Sequence, residues 1–316
     1  MQCLQSVADQ NFQELEILVL SDASPGHDEK GHSAKKIVQK FERTLNKNQK
    51  VSVRYLENSQ NLVLVESRRR LVEEAQGEYI FMLDSDDFLP QNALTLLYEA
   101  AIKNHADVVQ GDSITVDASG INHIQSNNEA HSFPGIIEGR SVFDDCFCNL
   151  KYRPFIPTKL IKRELYLQAF EQIPFIKTNM AEDVLQYFFI ALFAKRYAGI
   201  QAPVYYYRQS TGITSKKIQT IKDWQSVCSA ASVFTAIYSW LEEKTEETGK
   251  PPLTEPEMKG LQNLAKFYCV NNVKQLKEKV VPELQEEAHQ LLCQYWGDEA
   301  IRNTEEWIAA SLRSSQ

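Results

Sequence analysis

Apolar and polar positions follow two periodicities in the first 110 residues of the chain. Short apolar runs indicate strands, and apolar side chains three and four positions apart indicate helices. The strands are predicted at residues 16–20 and 51–56, and the helices at residues 1–7, 32–45, 62–75 and 94–102. Strands that alternate with helices are typical of a doubly wound parallel sheet, so the pattern predicts an α/β fold.

The most informative stretch runs from Gly77 to Pro90. Its five successive apolar or aromatic residues, 79–83, predict a strand buried on both faces of a parallel sheet. Three carboxylates, Asp84, Asp86 and Asp87, follow at once. Close carboxylates raise each other's pKa, and a hard divalent cation with phosphate oxygens would relieve that repulsion. The alternative is a solvated acidic turn before a helix that begins at Pro90.

The second half of the chain is less regular and ends in helical periodicity. Ala181, Glu182 and Asp183 precede an apolar helix, where two acids also suit the helix dipole, so capping competes with a functional role. Residues 202–208 alternate like a strand with three tyrosines. Residues 216–316 have the periodicity of helices throughout and predict an all-helical appendage.

Composition excludes several classes of protein. A net charge of −8 and a pI near 5.4 argue against a nucleic-acid partner, which requires a basic face. The six cysteines lack a paired metal-binding spacing and indicate reduced thiols in a cytoplasmic protein. No stretch approaches the ~20 apolar residues of a membrane helix, so membrane association is expected to be at most peripheral, at the inner face.

Four stretches of the chain follow a recognisable order. They are Cys3, Leu4, Ser6, Val7 and Gln10 in the first helix, Glu16–Ser24, Gly77–Asp87, and Pro203–Arg208 with Thr214 beyond. This order resembles the family-two inverting glycosyltransferases of the GT-A fold, which include bacterial enzymes that build capsules, exopolysaccharides and lipopolysaccharide. The resemblance covers residue 3 to about residue 215 and does not cover the helical C-terminal region.

The resemblance implies a Rossmann-like mixed sheet with flanking helices, followed by the helical appendage. Residues 1–110 are then the nucleotide-sugar-binding half of the GT-A domain, residues 111–215 its acceptor-binding half, and residues 216–316 the helical region. The family's first strand is expected to be missing from this chain. Two further differences concern the nucleotide side, where Ser21 replaces the first of two aspartates and Val63 replaces a glycine.

The resemblance also implies roles on the donor side. Asp86 is expected to bind Mn²⁺ or Mg²⁺ directly, with Asp84 on the ribose or a metal-bound water and Asp87 as a further carboxylate near the phosphates. Asp22 and Arg68 stand where the family reads the base, usually uracil. The expected donor is therefore a nucleoside diphosphate sugar, in particular a uridine diphosphate sugar.

On the acceptor side, Asp183 is the expected general base, and Glu182 is expected to orient it or the acceptor. The acceptor is a saccharide or a lipid-linked saccharide. Two alternatives stay open. A haloacid-type phosphatase would use Asp84 as its nucleophile, although that motif calls for threonine or valine where Phe88 stands. A non-catalytic relative would only bind a nucleotide sugar.

Overall fold

The computed structural model describes residues 1–12, 14–45, 50–124, 130–209 and 217–314. The chain divides into two compact units. The first unit comprises Met1–Cys146, Leu150–Gln172 and Gln186–Thr211, and the second comprises Phe147–Asn149, Ile173–Leu185 and Gly212–Gln316. Each unit therefore combines segments that are distant in the sequence.

The elements follow one another in an order close to the predicted one. Up to residue 116 they are α1 (Gln2–Ala8), β1 (Glu14–Ser21), α2 (Ala34–Glu42), β2 (Lys50–Glu57), α3 (Val63–Glu74), β3 (Tyr79–Phe81), α4 (Ala93–Asn104) and β4 (Val108–Val116). The next are β5 (Gly135–Glu138), α5 (Ser141–Phe147), β6 (Lys159–Lys162), α6 (Arg163–Gln172), α7 (Glu182–Phe193) and β7 (Arg196–Arg208). The last helices are α8 (Ile221–Cys228), α9 (Ala230–Thr248), α10 (Glu255–Lys279), α11 (Gln285–Trp296) and α12 (Asp298–Ser314).

The strands that the structure describes in the first unit form two sheets. β1 and β2 make a parallel pair, and the five-stranded sheet has the order β3-β6-β4-β7-β5. In the larger sheet β4 and β7 are parallel, whereas the β3–β6, β4–β6 and β5–β7 pairs are antiparallel. The α/β fold class with a mixed sheet and flanking helices is confirmed, and the purely parallel sheet suggested by the first 110 residues is wrong.

β3 differs most from its prediction. Only Tyr79–Phe81 forms the strand, all three residues are half-buried, and β3 pairs antiparallel with β6. The expectation of a strand buried on both faces of a parallel sheet is therefore wrong. An apolar run indicates that side chains are buried, but whether a strand pairs parallel or antiparallel depends on its partner strand. Here the partner comes from residues 159–162, about 80 positions later in the chain.

The core beside β3 is built by α4. One face of α4 packs against β4, β6 and β7, and this cluster includes Leu94, Leu97, Val109, Leu160 and Tyr205. Tyr79, Phe81 and Leu83 pack against the same cluster. The chain that leaves β3 is thus supported by apolar contacts until it reaches the acidic residues. Burial of such side chains stabilises the fold by about 1.5–3 kcal/mol for each one fully buried.

The second unit is helical over residues 217–314, as the sequence predicts. Its core surrounds Trp224, which is fully buried and donates its indole N–H to the Ala288 carbonyl at 2.8 Å. α10 begins with a capping box in which Thr254 and Glu257 satisfy each other's backbone amides. None of the helices that the structure describes has the length and apolar character to cross a membrane.

Candidate active site

The residues after β3 form a tight acidic turn, here defined as Asp84–Asp87. The Asp87 N–H donates to the Asp84 carbonyl at 3.1 Å, which closes the turn. Asp86 is exposed and the Asp84 side chain is 40% exposed, whereas Asp87 is only 2% exposed. The turn therefore presents two carboxylates to solvent and directs the third into the protein.

Asp87 fixes the turn to the end of β7. Its carboxylate accepts the Tyr205 hydroxyl at 2.8 Å and the Arg208 backbone N–H at 2.7 Å. Burial raises the pKa of Asp87 to about 6, although these two hydrogen bonds act in the opposite direction. Burial likewise raises the pKa of Tyr205 well above its usual value, so its hydroxyl stays protonated. The same hydroxyl accepts the Asp84 N–H at 3.2 Å and so links both ends of the turn.

Arg208 adds a second connection between β7 and the acidic turn. Its Nε donates to the Asp86 carbonyl at 3.0 Å, and its guanidinium lies over the Phe88 ring. The other guanidinium nitrogens reach the Ala118 carbonyl at 2.9 Å and the Gln2 Oε1 at 2.6 Å. One arginine thus joins α1, the chain after β4 and the backbone of the turn.

α1 holds the other side of the turn. The Cys3 thiol donates to the Asp84 carbonyl at 3.7 Å, and the Ser6 hydroxyl accepts the Leu89 N–H at 3.0 Å. Burial, with the three nearby carboxylates, raises the pKa of Cys3 to about 11, which keeps it a thiol. Gln10 is buried and bridges the Pro90 carbonyl at 2.8 Å and the Leu94 N–H at 3.1 Å.

The three successive arginines of α3 point to three different places, as expected for neighbours on a helix. Arg68 is 3% exposed, and its Nη2 lies 3.8 Å from the Asp84 Oδ1. Arg69 contacts Glu66 and the carbonyl and ring of Phe170. Arg70 donates to the Glu57 carbonyl at 2.8 Å. Among them, Arg68 is the one that meets the acidic turn.

Asp22 follows β1 and caps α3. Its Oδ1 accepts the Leu62 N–H at 2.8 Å and the Asn58 Nδ2 at 2.7 Å, and its Oδ2 accepts the Val63 N–H at 2.9 Å. A carboxylate at a helix start satisfies amides that have no partner within the helix. This geometry corresponds to the capping role that a lone aspartate at a strand end often has.

Glu182 and Asp183 are the first two residues of α7 and are half-buried. They belong to the second unit, whereas the acidic turn belongs to the first. Ala181 precedes them with a φ of 61°, and its carbonyl accepts the Leu185 N–H at 3.1 Å. The structure therefore brings Arg68, Asp84, Asp86 and Asp87 together at the end of β3. The predicted general base, Asp183, and its neighbour Glu182 lie at the start of a helix in the second unit.

The donor set of the turn fits a hard divalent cation that takes part of its ligands from a substrate. Asp84 and Asp86 offer exposed carboxylate oxygens, and Mg²⁺ is commonly held by one or two carboxylates plus phosphates and waters. Over the part of the chain that the structure describes, no group of three or more His, Cys, Asp or Glu residues could hold a metal ion. Phosphate oxygens would therefore have to complete the coordination.

The prediction from sequence named no role for Tyr205, Arg208, Ser6 or Gln10, although all four lie in the stretches that carry the resemblance. The sequence carries a signal for Ser6 and Gln10. Cys3, Ser6 and Gln10 are spaced three and four positions apart, which places them on one face of a helix. Thr214, the last residue of the stretches that carry the resemblance, lies outside the described residues.

Comparison with known families decides the class of the chain. A family model described as Glycosyl transferase family 2 matches residues 1–188. The chain belongs to glycosyl transferase family 2. Within the family, glycosyltransferase GlyA of Streptococcus pneumoniae is 22% identical over 215 residues, which are 68% of this chain and 29% of GlyA. The chain thus matches less than a third of the length of that relative.

Solved structures support the GT-A fold of this family-two chain. The crystal structure of S. aureus TarS 1–349 with UDP-GlcNAc has a TM-score of 0.53 at 19% identity, covering 99% of this chain and 87% of that 1–349 chain. Mannosyltransferase PcManGT from Pyrobaculum calidifontis, in complex with GDP-Man and Mn²⁺, has a TM-score of 0.50 at 13% identity, covering 98% and 75%. At these identities the likeness establishes the fold.

Proposed function

We propose that this chain transfers a sugar, with inversion, from a nucleoside diphosphate donor to a saccharide or lipid-linked saccharide in cell-surface polysaccharide synthesis. The observation that carries the proposal is the acidic turn. The carboxylates of Asp84 and Asp86 lie partly or fully in solvent after β3, and the buried Arg68 guanidinium lies 3.8 Å from the Asp84 Oδ1. We assign this turn as the site for a metal and a diphosphate, and the membership of the chain in glycosyl transferase family 2 supports the assignment.

Three ranges of the chain have different roles in this proposal. Residues 1–110 bind the donor, residues 111–215 contribute the acceptor side, and residues 216–316 form the helical region. The acceptor is met at the inner face of a membrane when it is lipid-linked. The donor is a uridine diphosphate sugar, a choice supported by the UDP-GlcNAc that TarS holds. Nucleic acid is not a partner, since the chain carries a net charge of −8.

Asp84 and Asp86 hold Mn²⁺ or Mg²⁺ in this proposal, and the Mn²⁺ in PcManGT supports the choice. When bound, such an ion neutralises charge on the departing diphosphate. Asp87 acts differently from the other two, because its oxygens already accept Tyr205 and Arg208. We assign Asp87 the task of fixing the turn so that its neighbours keep their geometry.

The remaining residues act on the base and on the acceptor. Arg68 lies on the nucleotide side, and Asp22 reads the base through the loop that it also caps. The acceptor oxygen attacks the anomeric carbon from the face opposite the diphosphate, the bond from that carbon to the diphosphate oxygen breaks, and the configuration inverts. The carboxylate of Asp183 takes the proton of the attacking hydroxyl, and Glu182 orients the base or the acceptor.

The family match favours this reaction over a haloacid-type phosphatase that uses Asp84. The alternative of a non-catalytic relative is separated by experiment. The chain is incubated with a panel of nucleotide sugars and manganese, and release of nucleoside diphosphate is followed with and without saccharide acceptors. Turnover of at least one donor supports the transferase, whereas donor binding without any turnover favours the non-catalytic relative.

The metal site has its own test in Asp86→Ala. Manganese is expected to tighten binding of uridine diphosphate to the unaltered chain, and the substitution is expected to remove that effect, since half of the exposed carboxylate pair is lost. Calorimetry with manganese or with a chelator measures both. Asp223→Ala is the matched control, because Asp223 bonds Thr220 at the start of α8 and belongs to the second unit. Equal affinity with and without chelator in the unaltered chain would reject the metal site.

A further inference from the structure

Residues 178–181, the short segment that leads into α7, are hydrogen-bonded to the helices of the second unit. Thr178 is fully buried, and its Oγ1 lies 2.8 Å from the Met180 carbonyl, 3.1 Å from the Ser229 carbonyl and 3.2 Å from the Ser229 Oγ. A buried hydroxyl with such partners is costly to move, because each lost hydrogen bond leaves a desolvated polar group. Thr178 thus holds its own segment to the junction of α8 and α9.

Ser229 supplies a second link in the same place. It is 5% exposed, its hydroxyl accepts the Asn179 N–H at 3.0 Å, and it donates to the Ser226 carbonyl at 2.6 Å. The side chain of Asn179 reaches the Ser226 Oγ at 3.2 Å. Two consecutive residues of the segment are therefore bonded to two residues one helical turn apart.

The segment ends in a residue whose backbone is strained. Ala181 has a φ of 61°, in the left-handed region that a residue with a Cβ rarely adopts, and its side chain is buried. Such a conformation is unfavourable for a residue with a Cβ and persists where the surroundings fix it. The next two residues are Glu182 and Asp183. The hydrogen bonds of Thr178 and Asn179 and the strained Ala181 thus lie immediately before the first carboxylates of α7.

We propose that the Thr178–Ser229 tether positions Asp183 for proton transfer, so that the helical region takes part in the reaction through the segment before α7. This inference rests on the proposed function. A general base has to lie within hydrogen-bond reach of the proton that it takes. Misplacement by about 1 Å can cost roughly 10²-fold in rate. Thr178 and Ser229 are positioning residues here, since they act through Asp183.

The test compares three variants of the full chain. Thr178→Val keeps the shape and removes the hydroxyl, Thr178→Ser restores the hydroxyl, and Thr304→Val is the matched control. Thr304 is a threonine of the same unit that is 6% exposed, and its Oγ1 lies 3.4 Å from the Cys269 Sγ. We expect Thr178→Val to lower kcat roughly ten-fold with the donor KM unchanged, Thr178→Ser to recover most of the rate, and Thr304→Val to keep it.

Amide hydrogen exchange gives a readout that does not depend on activity. In Thr178→Val the amides of Asn179 and Leu185 should lose protection, while the amides of α12 keep theirs. If the unaltered chain is active and Thr178→Val keeps its kcat or its exchange pattern, the tether proposal is wrong while the proposed function stands. Equal loss of kcat in Thr304→Val also overturns the tether proposal, because the effect would then be one of general stability. A chain that turns over no nucleotide sugar overturns the proposed function, and the role of Asp183 falls with it.

Discussion

Val63 is a β-branched residue held in the left-handed backbone region, with a φ of 64°. It opens α3 at the position where the resemblance implies glycine, a residue that adopts this backbone region at no steric cost. The left-handed region costs a residue with a Cβ about 1–2 kcal/mol. The greater freedom of glycine in the unfolded chain opposes this gain and lowers the free energy of unfolding by about 0.4–1 kcal/mol. We expect Val63→Gly to raise the free energy of unfolding by up to about 1 kcal/mol, as measured by urea denaturation.

Asn92 offers the matched control for this substitution. It precedes α4 with a φ of 66° and makes no side-chain capping hydrogen bond. Asparagine tolerates the left-handed region far better than valine, so Asn92→Gly should leave stability unchanged or slightly lower. If Val63→Gly proves no better than Asn92→Gly, backbone strain at Val63 is not a significant cost to the fold.

Tyr205 is the residue whose loss should affect the acidic turn most selectively. Its hydroxyl donates to Asp87 and accepts the Asp84 N–H, so Tyr205→Phe leaves a buried carboxylate and an amide without that partner. The expected loss of stability is about 1–3 kcal/mol. We also expect weaker manganese-dependent binding of uridine diphosphate, because Asp84 and Asp86 lose their fixed geometry. Thermal unfolding and calorimetry measure the two effects.

Tyr207 provides the control for Tyr205. It lies two residues further along β7 and so on the same face of the strand. Within the described residues its hydroxyl makes no hydrogen bond to the acidic turn, and Tyr207→Phe should leave the metal-dependent affinity intact. An equal loss of affinity in both variants would mean that aromatic hydroxyls near the site act on the ligand directly.

At the scale of elements, Asp22 connects the end of β1 to the start of α3. Removal of a side chain that caps a helix costs about 0.5–2 kcal/mol, so Asp22→Ala should lower the free energy of unfolding by that amount. Asp22→Asn keeps one acceptor oxygen and should lose less. Uridine diphosphate binding to the Asn variant, measured by calorimetry, then tests whether Asp22 also reads the base. Unchanged affinity in a well-folded Asp22→Asn would limit Asp22 to capping.

The elements themselves were largely predictable from local periodicity. β1, β2 and α3 lie within two residues of the predicted bounds, because amphipathic spacing and polar breaks are local properties. Strand partners were not predictable in this way. β6 inserts antiparallel between β3 and β4, a pairing between residues about 50 to 80 positions apart, and no local pattern states it.

The same division holds for the candidate site. The acidic turn was visible as a sequence pattern, since a strand that ends in several carboxylates is unusual. The different orientation of Asp87 was not visible, because it depends on the hydroxyl of Tyr205 and the amide of Arg208, more than 100 residues later. Three aspartates of one turn look equivalent in sequence, and only their burial separates the two that face solvent from the third.

At the scale of the whole molecule, the residues proposed for donor binding and for proton transfer belong to different units. The first unit holds the acidic turn and Arg68, and the second holds Glu182 and Asp183. Substitutions in the two units should therefore change different constants. Loss of Asp86 should weaken donor binding, whereas loss of the base should leave donor binding intact and slow the chemical step. Donor affinity and turnover measured on the same variants separate the two contributions.

Asp183→Asn is the substitution that isolates the base. It keeps the size of the side chain and an oxygen that can accept hydrogen bonds at the start of α7, while it removes the basicity. A general base takes the acceptor proton only as the new bond forms. We expect turnover to fall by roughly 10²-fold or more, the scale of a general base, with donor affinity nearly unchanged. Glu182→Gln should have a smaller effect. Wild-type turnover in Asp183→Asn would place the base elsewhere, and a loss of donor affinity like that of Asp86→Ala would assign Asp183 to the donor site instead.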